Sequence, residues 1–158
     1  MSLKFSLLMM FAIVASLTND VSAETKKIHL DVFKSPTCGC CNEWIKHMEE
    51  QEFVTSTFHP ENLSELKTEK GISTRYQSCH TGVTKEGYVF EGHVPAKHVR
   101  AFLESPPAGS IGLSVPGMPV GSPGMEFDNK FMRYQILLLN ADGTKEIFAE
   151  VNNKKAQY

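Results

Sequence analysis

Apolar and polar side chains alternate along residues 28–33, which is the pattern of a half-buried β-strand. The period then changes. In residues 41–51 the apolar side chains of Trp44, Ile45 and Met48 recur at helical spacing, and charged side chains occupy the opposite face. These two patterns predict a strand and then an amphipathic helix, with a short turn between them.

Residues 53–104 predict a further strand, a helix, a hairpin and another helix. Residues 53–58 are rich in β-branched and aromatic side chains and predict a second strand. A short helix is expected over residues 64–71, and turn residues between 81–84 and 88–91 predict a hairpin. Residues 96–104 again show helical spacing and predict a third helix.

A long segment without an evident period follows. Residues 108–126 are rich in glycine and proline, contain Met118 and Met125, and are expected to lack regular structure. Residues 133–139 and 146–151 then predict a closing hairpin, either added to the sheet edge or folded back over the sheet.

The order of elements indicates the fold class. A strand–helix–strand start favours a right-handed parallel crossover, and a later hairpin adds antiparallel strands. A cysteine cluster directly after the first strand is typical of thioredoxin-like proteins. We therefore predict an α/β, thioredoxin-like domain over residues 24–158, with a mixed central sheet flanked by helices and a C-terminal hairpin extension from about residue 127.

The N-terminus has the three parts of a secretory signal peptide. Lys4 precedes the almost wholly apolar residues 5–17, and Val21-Ser22-Ala23 offers small residues for a signal peptidase. We expect residues 1–23 to be removed near Ala23 and the mature chain to be periplasmic or otherwise exported. An uncleaved membrane anchor is the alternative.

Charge and hydropathy argue against nucleic-acid binding and against a membrane span in the mature chain. The formal net charge is −2, from 16 basic and 18 acidic residues, and there is no long basic run, so we expect no nucleic-acid partner. The mature part has no apolar run near the ~20 residues that a membrane-spanning helix needs. We therefore expect no membrane span after cleavage.

Three of the four cysteines lie within Cys38-Gly39-Cys40-Cys41, which is too dense for ordinary disulfide staples. Cys38 and Cys41 are spaced C-x-x-C at a helix start, where the helix dipole favours thiolates. Thiolates serve both disulfide exchange and metal binding. Cys40 adds a third sulfur and favours a soft ion, Cu(I) first and zinc next, unless its side chain packs in the core.

Five separated motifs resemble those of the CopG-type copper-resistance family, many of whose members are described only as metal-binding proteins of unknown function. The motifs are Ser35-Pro36-Thr37-Cys38-Gly39-Cys40-Cys41, Gln77-Ser78-Cys79-His80-Thr81, Glu91-Gly92-His93-Val94-Pro95, Val115-Pro116-Gly117-Met118-Pro119 and Gly121-Ser122-Pro123-Gly124-Met125-Glu126. They occur in order within residues 28–126, and the segment after Phe127 lies outside the resemblance. The resemblance implies a thioredoxin-like fold, export and copper binding through Cys38, Cys41 and Cys79, with Cys40 beside them.

In thioredoxin-like proteins the loop before the third strand faces the C-x-x-C motif and usually carries a cis-proline. Here that loop contains Cys79 and no proline, which argues against ordinary disulfide exchange. We expect Cys79 to lie opposite Cys38, Cys40 and Cys41. Four such thiolates can hold one tetrahedral ion or a small polynuclear Cu(I) cluster.

Other side chains are secondary candidates. His80, His93, Met118 and Met125 are candidate ligands or supporting residues, with backbone-bonded histidines and packing methionines as the alternatives. We do not expect the remaining histidines to bind metal; His47 is placed on the polar flank of the first helix and His98 on a solvated face.

Two functions from different classes remain open at this point. The first is a copper-binding protein for copper resistance or homeostasis that handles Cu(I) and Cu(II), with copper ions and other periplasmic copper-handling proteins as partners. The second is an enzyme, a thiol–disulfide oxidoreductase with Cys38 as nucleophile and Cys41 as resolving thiol. A third and weaker interpretation is an exported domain in which Cys79 merely forms a disulfide with one of the clustered cysteines.

Overall fold

The computed structural model describes residues 27–158, so the predicted signal peptide lies outside the described residues. Seven strands form a single sheet. They are β1 (His29–Lys34), β2 (Val54–Phe58), β3 (His80–Thr84), β4 (Val89–Gly92), β5 (Ser110–Val115), β6 (Tyr134–Asn140) and β7 (Lys145–Val151). Their order across the sheet is β2-β1-β3-β4-β5-β6-β7.

Three α-helices connect the strands: α1 (Gly39–Glu50), α2 (Leu63–Glu69) and α3 (Ala96–Glu104). Short 3₁₀ turns occur at Thr74–Tyr76 and Lys154–Gln157. The three helices that the sequence predicts are confirmed to within two residues at each end. No helix among the described residues is long and apolar enough to cross a membrane.

The sheet is mixed, which confirms the predicted α/β class. Strands β1 and β2 are parallel, as are β4 and β5, and the remaining neighbouring pairs are antiparallel. The β1-α1-β2 unit is the expected parallel crossover, and β3 and β4 form the expected hairpin. The thioredoxin-like assignment requires this arrangement but stays a prediction.

The expectation that residues 108–126 lack regular structure is wrong for β5, which lies between β4 and β6. Apolar Ile111, Leu113 and Val115 do alternate with small or polar residues along this strand. Leu113, Ser114 and Val115 are all fully buried, so the strand is covered on both faces. A Cβ added at Gly112, whose φ is +151°, would lie 1.8 Å from the carbonyl oxygen of Val89 on β4. Glycine is therefore the residue that allows β5 to approach β4 so closely. The irregular segment, called the Gly/Pro/Met loop below, covers residues 116–133.

The closing hairpin is confirmed, and of its two expected placements the structure shows the first. Strand β6 pairs with β5, and β7 pairs with β6 at the end of the sheet. The 3₁₀ turn that follows reaches back to the Gly/Pro/Met loop. Gln157 accepts a hydrogen bond from the Tyr134 hydroxyl and donates one to the Gly121 carbonyl, both 2.7 Å long.

Helix α1 is held against the sheet by its buried apolar side chains. Trp44 and Met48 are fully buried in a cluster with Phe90 and with Phe102 of α3. The Trp44 indole also donates a hydrogen bond of 2.9 Å to the Val94 carbonyl. This confirms Trp44 as a core residue, and it fixes the start of α1 against the segment that follows β4.

Two histidines differ from their predicted surroundings. His47 is buried rather than on a polar flank, and its Nε2 accepts the Ala96 backbone N–H at 3.1 Å. His98 is half-buried rather than solvated, and its ring lies against Phe148. In both cases a neighbouring element covers a side chain that would be exposed on an isolated helix.

Candidate metal centre

Cys38 and Cys41 bracket the first turn of α1. Cys38 has extended backbone angles and is the N-cap residue, and its N–H closes a turn on the Ser35 carbonyl at 3.2 Å. One helical turn separates the two side chains, and their Cα atoms lie 5.4 Å apart. They form a disulfide, while Cys40 and Cys79 are free thiols.

The fold brings Cys79 to this turn from the start of β3. Its carbonyl lies 3.8 Å from Cys41 Sγ, and Cys40 Sγ lies 3.6 Å from Cys38 Sγ. The sulfur atoms of all four cysteines lie within 4.8 Å of one another. Cys41 is buried, and the other three are half-buried. The cysteines that the sequence singled out therefore meet at one point, although whether they bind a metal stays a prediction.

Two imidazoles adjoin Cys79 on its other side. Cys79 Sγ lies 3.3 Å from His80 Nδ1 and 3.2 Å from His93 Nε2, and the ligand atoms of the three residues lie within 4.8 Å of one another. Both histidines are fully buried, and their rings meet edge to face. Cys79 thus belongs to two donor groups, one of sulfurs and one of a sulfur and two imidazoles.

The tautomer of His93 follows from its second nitrogen. Nδ1 lies 2.8 Å from the Pro123 carbonyl, which can only accept a hydrogen bond. Nδ1 therefore carries the proton, and Nε2 presents a lone pair toward Cys79. A backbone carbonyl on the distal nitrogen is the usual support of a metal-binding histidine.

Burial keeps these groups uncharged in the metal-free protein. It raises the pKa of Cys79 to about 11, and the nearby Cys40 acts in the same direction. It also lowers the pKa of His93, and it lowers the pKa of His80 further, with His93 adding to that effect. At neutral pH the site therefore offers a thiol and two neutral imidazoles. Thiolate and imidazole nitrogen are donors suited to soft and borderline metal ions, and binding as a thiolate displaces a proton.

The Gly/Pro/Met loop lies against the site on two sides. The Ser78 hydroxyl, next to Cys79, donates to the Gly117 carbonyl at 2.5 Å. A Cβ added at Gly124 would lie 2.6 Å from the Trp44 nitrogen and 2.8 Å from the Cys40 carbonyl oxygen, so the loop backbone touches α1 there. Met118 and Met125 each follow one of these contact residues; Met118 is exposed and Met125 half-buried. Their role as ligands stays a prediction.

Two buried charged residues beside the site were not predicted from the sequence. Lys67 on α2 and Glu91 on β4 form an ion pair of 2.6 Å, with side chains 2% and 0% exposed. Glu91 carried one usable signal, because it is a carboxylate within an otherwise apolar strand and within a motif of the resemblance. Lys67 carried none, since lysines on short helices usually face solvent.

Comparison with known proteins gives two kinds of match. The family model described as "Protein of unknown function, DUF411" matches residues 76–125, which include Cys79, His80 and His93 but begin after the first cysteine cluster. No curated protein sequence matches.

Two solved structures resemble the chain over most of its length. They are described as copper resistance protein CopG, forms 1 and 2, and each is 39% identical to this chain. Each match covers 80% of this chain, and 98% and 99% of the respective relative, with TM-scores of 0.74 and 0.75. Identity at this level across nearly the whole relative shows shared ancestry as well as a shared fold.

Proposed function

This chain belongs to the family of the copper resistance protein CopG, and from that membership we propose that it binds copper, as Cu(I), through the thiolates of Cys38, Cys40, Cys41 and Cys79. One observation carries the proposal. Four sulfurs from two segments, separated by a helix, a strand and a second helix, lie within 4.8 Å of one another. Its general role is copper resistance or homeostasis.

The donor chemistry favours copper over zinc. A set rich in thiolates, with imidazole and thioether groups nearby, suits the soft Cu(I) ion. Zinc accepts thiolates and imidazoles equally well but has little affinity for thioethers, so it remains the lesser alternative. Met118 and Met125 provide the discriminating donors. We expect Met118→Leu and Met125→Leu to weaken Cu(I) binding and leave zinc binding unchanged, whereas Met132→Leu, at an exposed loop position outside the shared motifs, changes neither.

More than one copper ion fits the donor arrangement. Cys79 belongs both to the four-sulfur group and to the group with His80 and His93. A thiolate that serves two groups can bridge two Cu(I) ions, and bridging thiolates are how small polynuclear copper clusters form. The site therefore supports a polynuclear centre in preference to a single tetrahedral ion.

Copper binding by all four sulfurs requires reduction of the Cys38–Cys41 disulfide. A dithiol reductant supplies two electrons and two protons, the S–S bond breaks to give two thiols, and the reductant becomes a disulfide. Copper then displaces the thiol protons. Disulfide and copper-loaded states are thus mutually exclusive at this pair.

Element analysis of the reduced protein tests the proposal. The protein is reduced, loaded anaerobically with excess Cu(I), and passed through a desalting column. We expect more than one copper per chain in the wild type and fewer in Cys79→Ser, with both proteins equally folded by circular dichroism. No more than one copper per wild-type chain at saturation would sink the polynuclear centre, and equal copper in both proteins would remove Cys79 from the site.

The disulfide itself favours a second candidate function, thiol–disulfide exchange by the Cys38/Cys41 pair. Insulin reduction by metal-free protein tests it. If this function is correct, Cys38→Ser abolishes turnover while Cys79→Ser leaves it intact. If the pair serves copper alone, the wild type and both variants fail to reduce insulin, and both substitutions weaken copper binding.

Export and redox handling complete the proposal. The N-terminal pattern supports a periplasmic location, with copper ions and other periplasmic copper-handling proteins as partners; a cleaved chain beginning at Glu24 in the periplasmic fraction is the expected result. A thiolate site whose disulfide and thiol states differ in copper affinity also suits interconversion of Cu(I) and Cu(II). Copper held in one oxidation state only, and neither reduced nor oxidised by the protein, would contradict that role.

A further inference from the structure

The backbone of Ser78, the residue before Cys79, is held by two buried charged side chains. Its N–H donates to Glu91 Oε1 at 2.5 Å, and its carbonyl accepts from Lys67 Nζ at 2.6 Å. Both backbone polar groups of Ser78 are therefore bound to members of the Lys67–Glu91 ion pair. Hydrogen bonds to charged groups are shorter and stronger than those between neutral groups.

The same carboxylate also holds the chain on the other side of Cys79. The Thr81 hydroxyl donates to Glu91 Oε2, so the two oxygens of one carboxylate grip Ser78 and Thr81. Lys67 closes the arrangement by pairing with Glu91 Oε1 at 2.6 Å. Cys79 and His80 lie between the two attachment points.

The side chain of Ser78 packs closely against the backbone of Gly92. Gly92 has a φ of +71°, and a Cβ there would lie 2.7 Å from Ser78 Cβ and 2.6 Å from the Val115 carbonyl oxygen. The Ser78 hydroxyl is bound in addition to the Gly117 carbonyl. The segment that carries Cys79 is thus confined from β4, from α2 and from the Gly/Pro/Met loop.

Stability alone does not account for a buried ion pair at this point. Removing two charges from water is costly, and apolar residues of similar volume usually serve a folded core at least as well. The pair instead connects three elements at the one segment that must meet the cysteines of α1. We propose that Lys67 and Glu91 are positioning residues that fix Cys79 Sγ within reach of Cys38, Cys40 and Cys41. This inference rests on the proposed copper site.

A double-mutant cycle tests the inference. Cu(I) affinity is measured by competition with a chromophoric Cu(I) chelator, in reduced protein, for wild type, Lys67→Met, Cys79→Ser and the double variant. Supporting residues of metal ligands typically change metal affinity by about 10- to 100-fold, and we expect Lys67→Met to weaken binding in this range. In the Cys79→Ser background we expect no further loss, because the sulfur that Lys67 positions is gone.

Two controls separate positioning from general destabilisation. Lys46→Met removes a lysine from an exposed ion pair with Glu50 on α1, away from the Ser78 segment. Val99→Ala shortens a buried core side chain of α3 and lowers stability without touching that segment. Both are expected to retain wild-type Cu(I) affinity when they are assayed well below their melting temperatures.

Lys67→Met leaves a buried carboxylate unpaired, so a charge-free variant guards against failure to fold. In Lys67→Met/Glu91→Gln, the glutamine still accepts the Ser78 N–H and donates to Thr81. The variant loses the two contacts of Lys67, one with the Ser78 carbonyl and one with residue 91. We expect this variant to fold and to bind Cu(I) more weakly than Lys46→Met does.

The outcomes separate this inference from the proposed function. If wild type and Cys79→Ser bind Cu(I) equally, the copper site itself is wrong. If Cys79→Ser binds weakly while Lys67→Met and the charge-free variant match Lys46→Met, the copper site stands and the positioning role is overturned. Additive losses from Lys67→Met and Cys79→Ser would overturn the positioning role as well.

Discussion

Cys79 Sγ lies 3.2 Å from His93 Nε2, and the opposite nitrogen of that imidazole is bound to the Pro123 carbonyl of the Gly/Pro/Met loop. One histidine therefore links the start of β3 to the loop that touches α1. The contact with Pro123 directs the lone pair of His93 Nε2 toward Cys79 Sγ, which lies within 4.8 Å of the three other sulfurs. The His93 ring is thus one of several contacts between the loop and the cysteine site, beside those of Gly117 with Ser78 and of Gly124 with α1.

We expect His93 to contribute an imidazole nitrogen to copper binding, unlike histidines away from the cysteines. We expect His93→Gln to lower the copper content at saturation and to weaken Cu(I) binding, because the variant loses the imidazole nitrogen beside Cys79. His29→Gln is the matched control, since His29 is exposed at the start of β1. Chelator competition measures both. Equal affinities in the two variants would exclude His93 as a ligand or as a supporting residue.

The contact of the Gly/Pro/Met loop with α1 can be isolated by two glycine substitutions. Gly124 and Gly117 have φ values of +84° and +73°, so alanine costs about 1–2 kcal/mol of left-handed strain at either position. Only at Gly124 does the new Cβ clash, and overpacking adds about 1–3 kcal/mol. Urea unfolding should therefore show Gly124→Ala to be the less stable variant by that amount, with weaker copper retention as well. Equal stabilities would contradict the close packing of Gly124 against α1.

The acid stability of the metal-free protein should depend on His47. Burial lowers the pKa of His47 below its ordinary value of 6.5, although Glu126 and Glu50 face it and act in the opposite direction. As the pH falls, His47 is therefore protonated at a higher pH in the unfolded chain than in the folded protein. The free energy of unfolding decreases as the pH falls below about 6.5. Above that pH this histidine contributes no pH dependence.

His47→Gln tests this dependence, because the glutamine oxygen can accept the Ala96 N–H that His47 Nε2 accepts now. We expect the free energy of unfolding to fall from pH 7 to pH 5 in the wild type and to fall less steeply in the variant. Some slope remains, because burial also lowers the pKa of His80, His93 and His98. Parallel curves for the two proteins would exclude His47 as a contributor.

Thiol counting checks the oxidation state of the centre. Protein isolated without metal or reductant, and then denatured, should show two reactive thiols, on Cys40 and Cys79. After reduction it should show four, and only the reduced form should take up its full copper complement. Peptide mapping that finds Cys79 in a disulfide would instead support the interpretation of a merely stapled domain.

Much of this architecture is readable from local pattern. The period of the apolar side chains predicted α1 and α3, because each helix buries one face against the sheet. The β3–β4 hairpin was predicted from the turn residues between its strands. Strand β5 was missed although Leu113 and Val115 alternate, because the surrounding glycines and prolines are typical of loops. Gly112 belongs to that strand only because Val89 of β4 approaches it, which no local pattern reveals.

The candidate site also has features that the sequence predicts and features that it does not. Its cysteines were identifiable from their clustering and from the motifs of the resemblance. The Lys67–Glu91 pair was not, since a charged side chain is buried only where another element supplies its partner. The disulfide could not be chosen either, because C-x-x-C spacing serves both a redox pair and a metal site.

Copper K-edge X-ray absorption on the copper-loaded, reduced protein tests the central claim most directly. The account predicts a sulfur-dominated shell in the wild type and a lower sulfur coordination number in Cys79→Ser, because that thiolate then no longer reaches the copper held at the start of α1. Identical spectra from the two proteins would show that copper binds without Cys79 and would contradict the account.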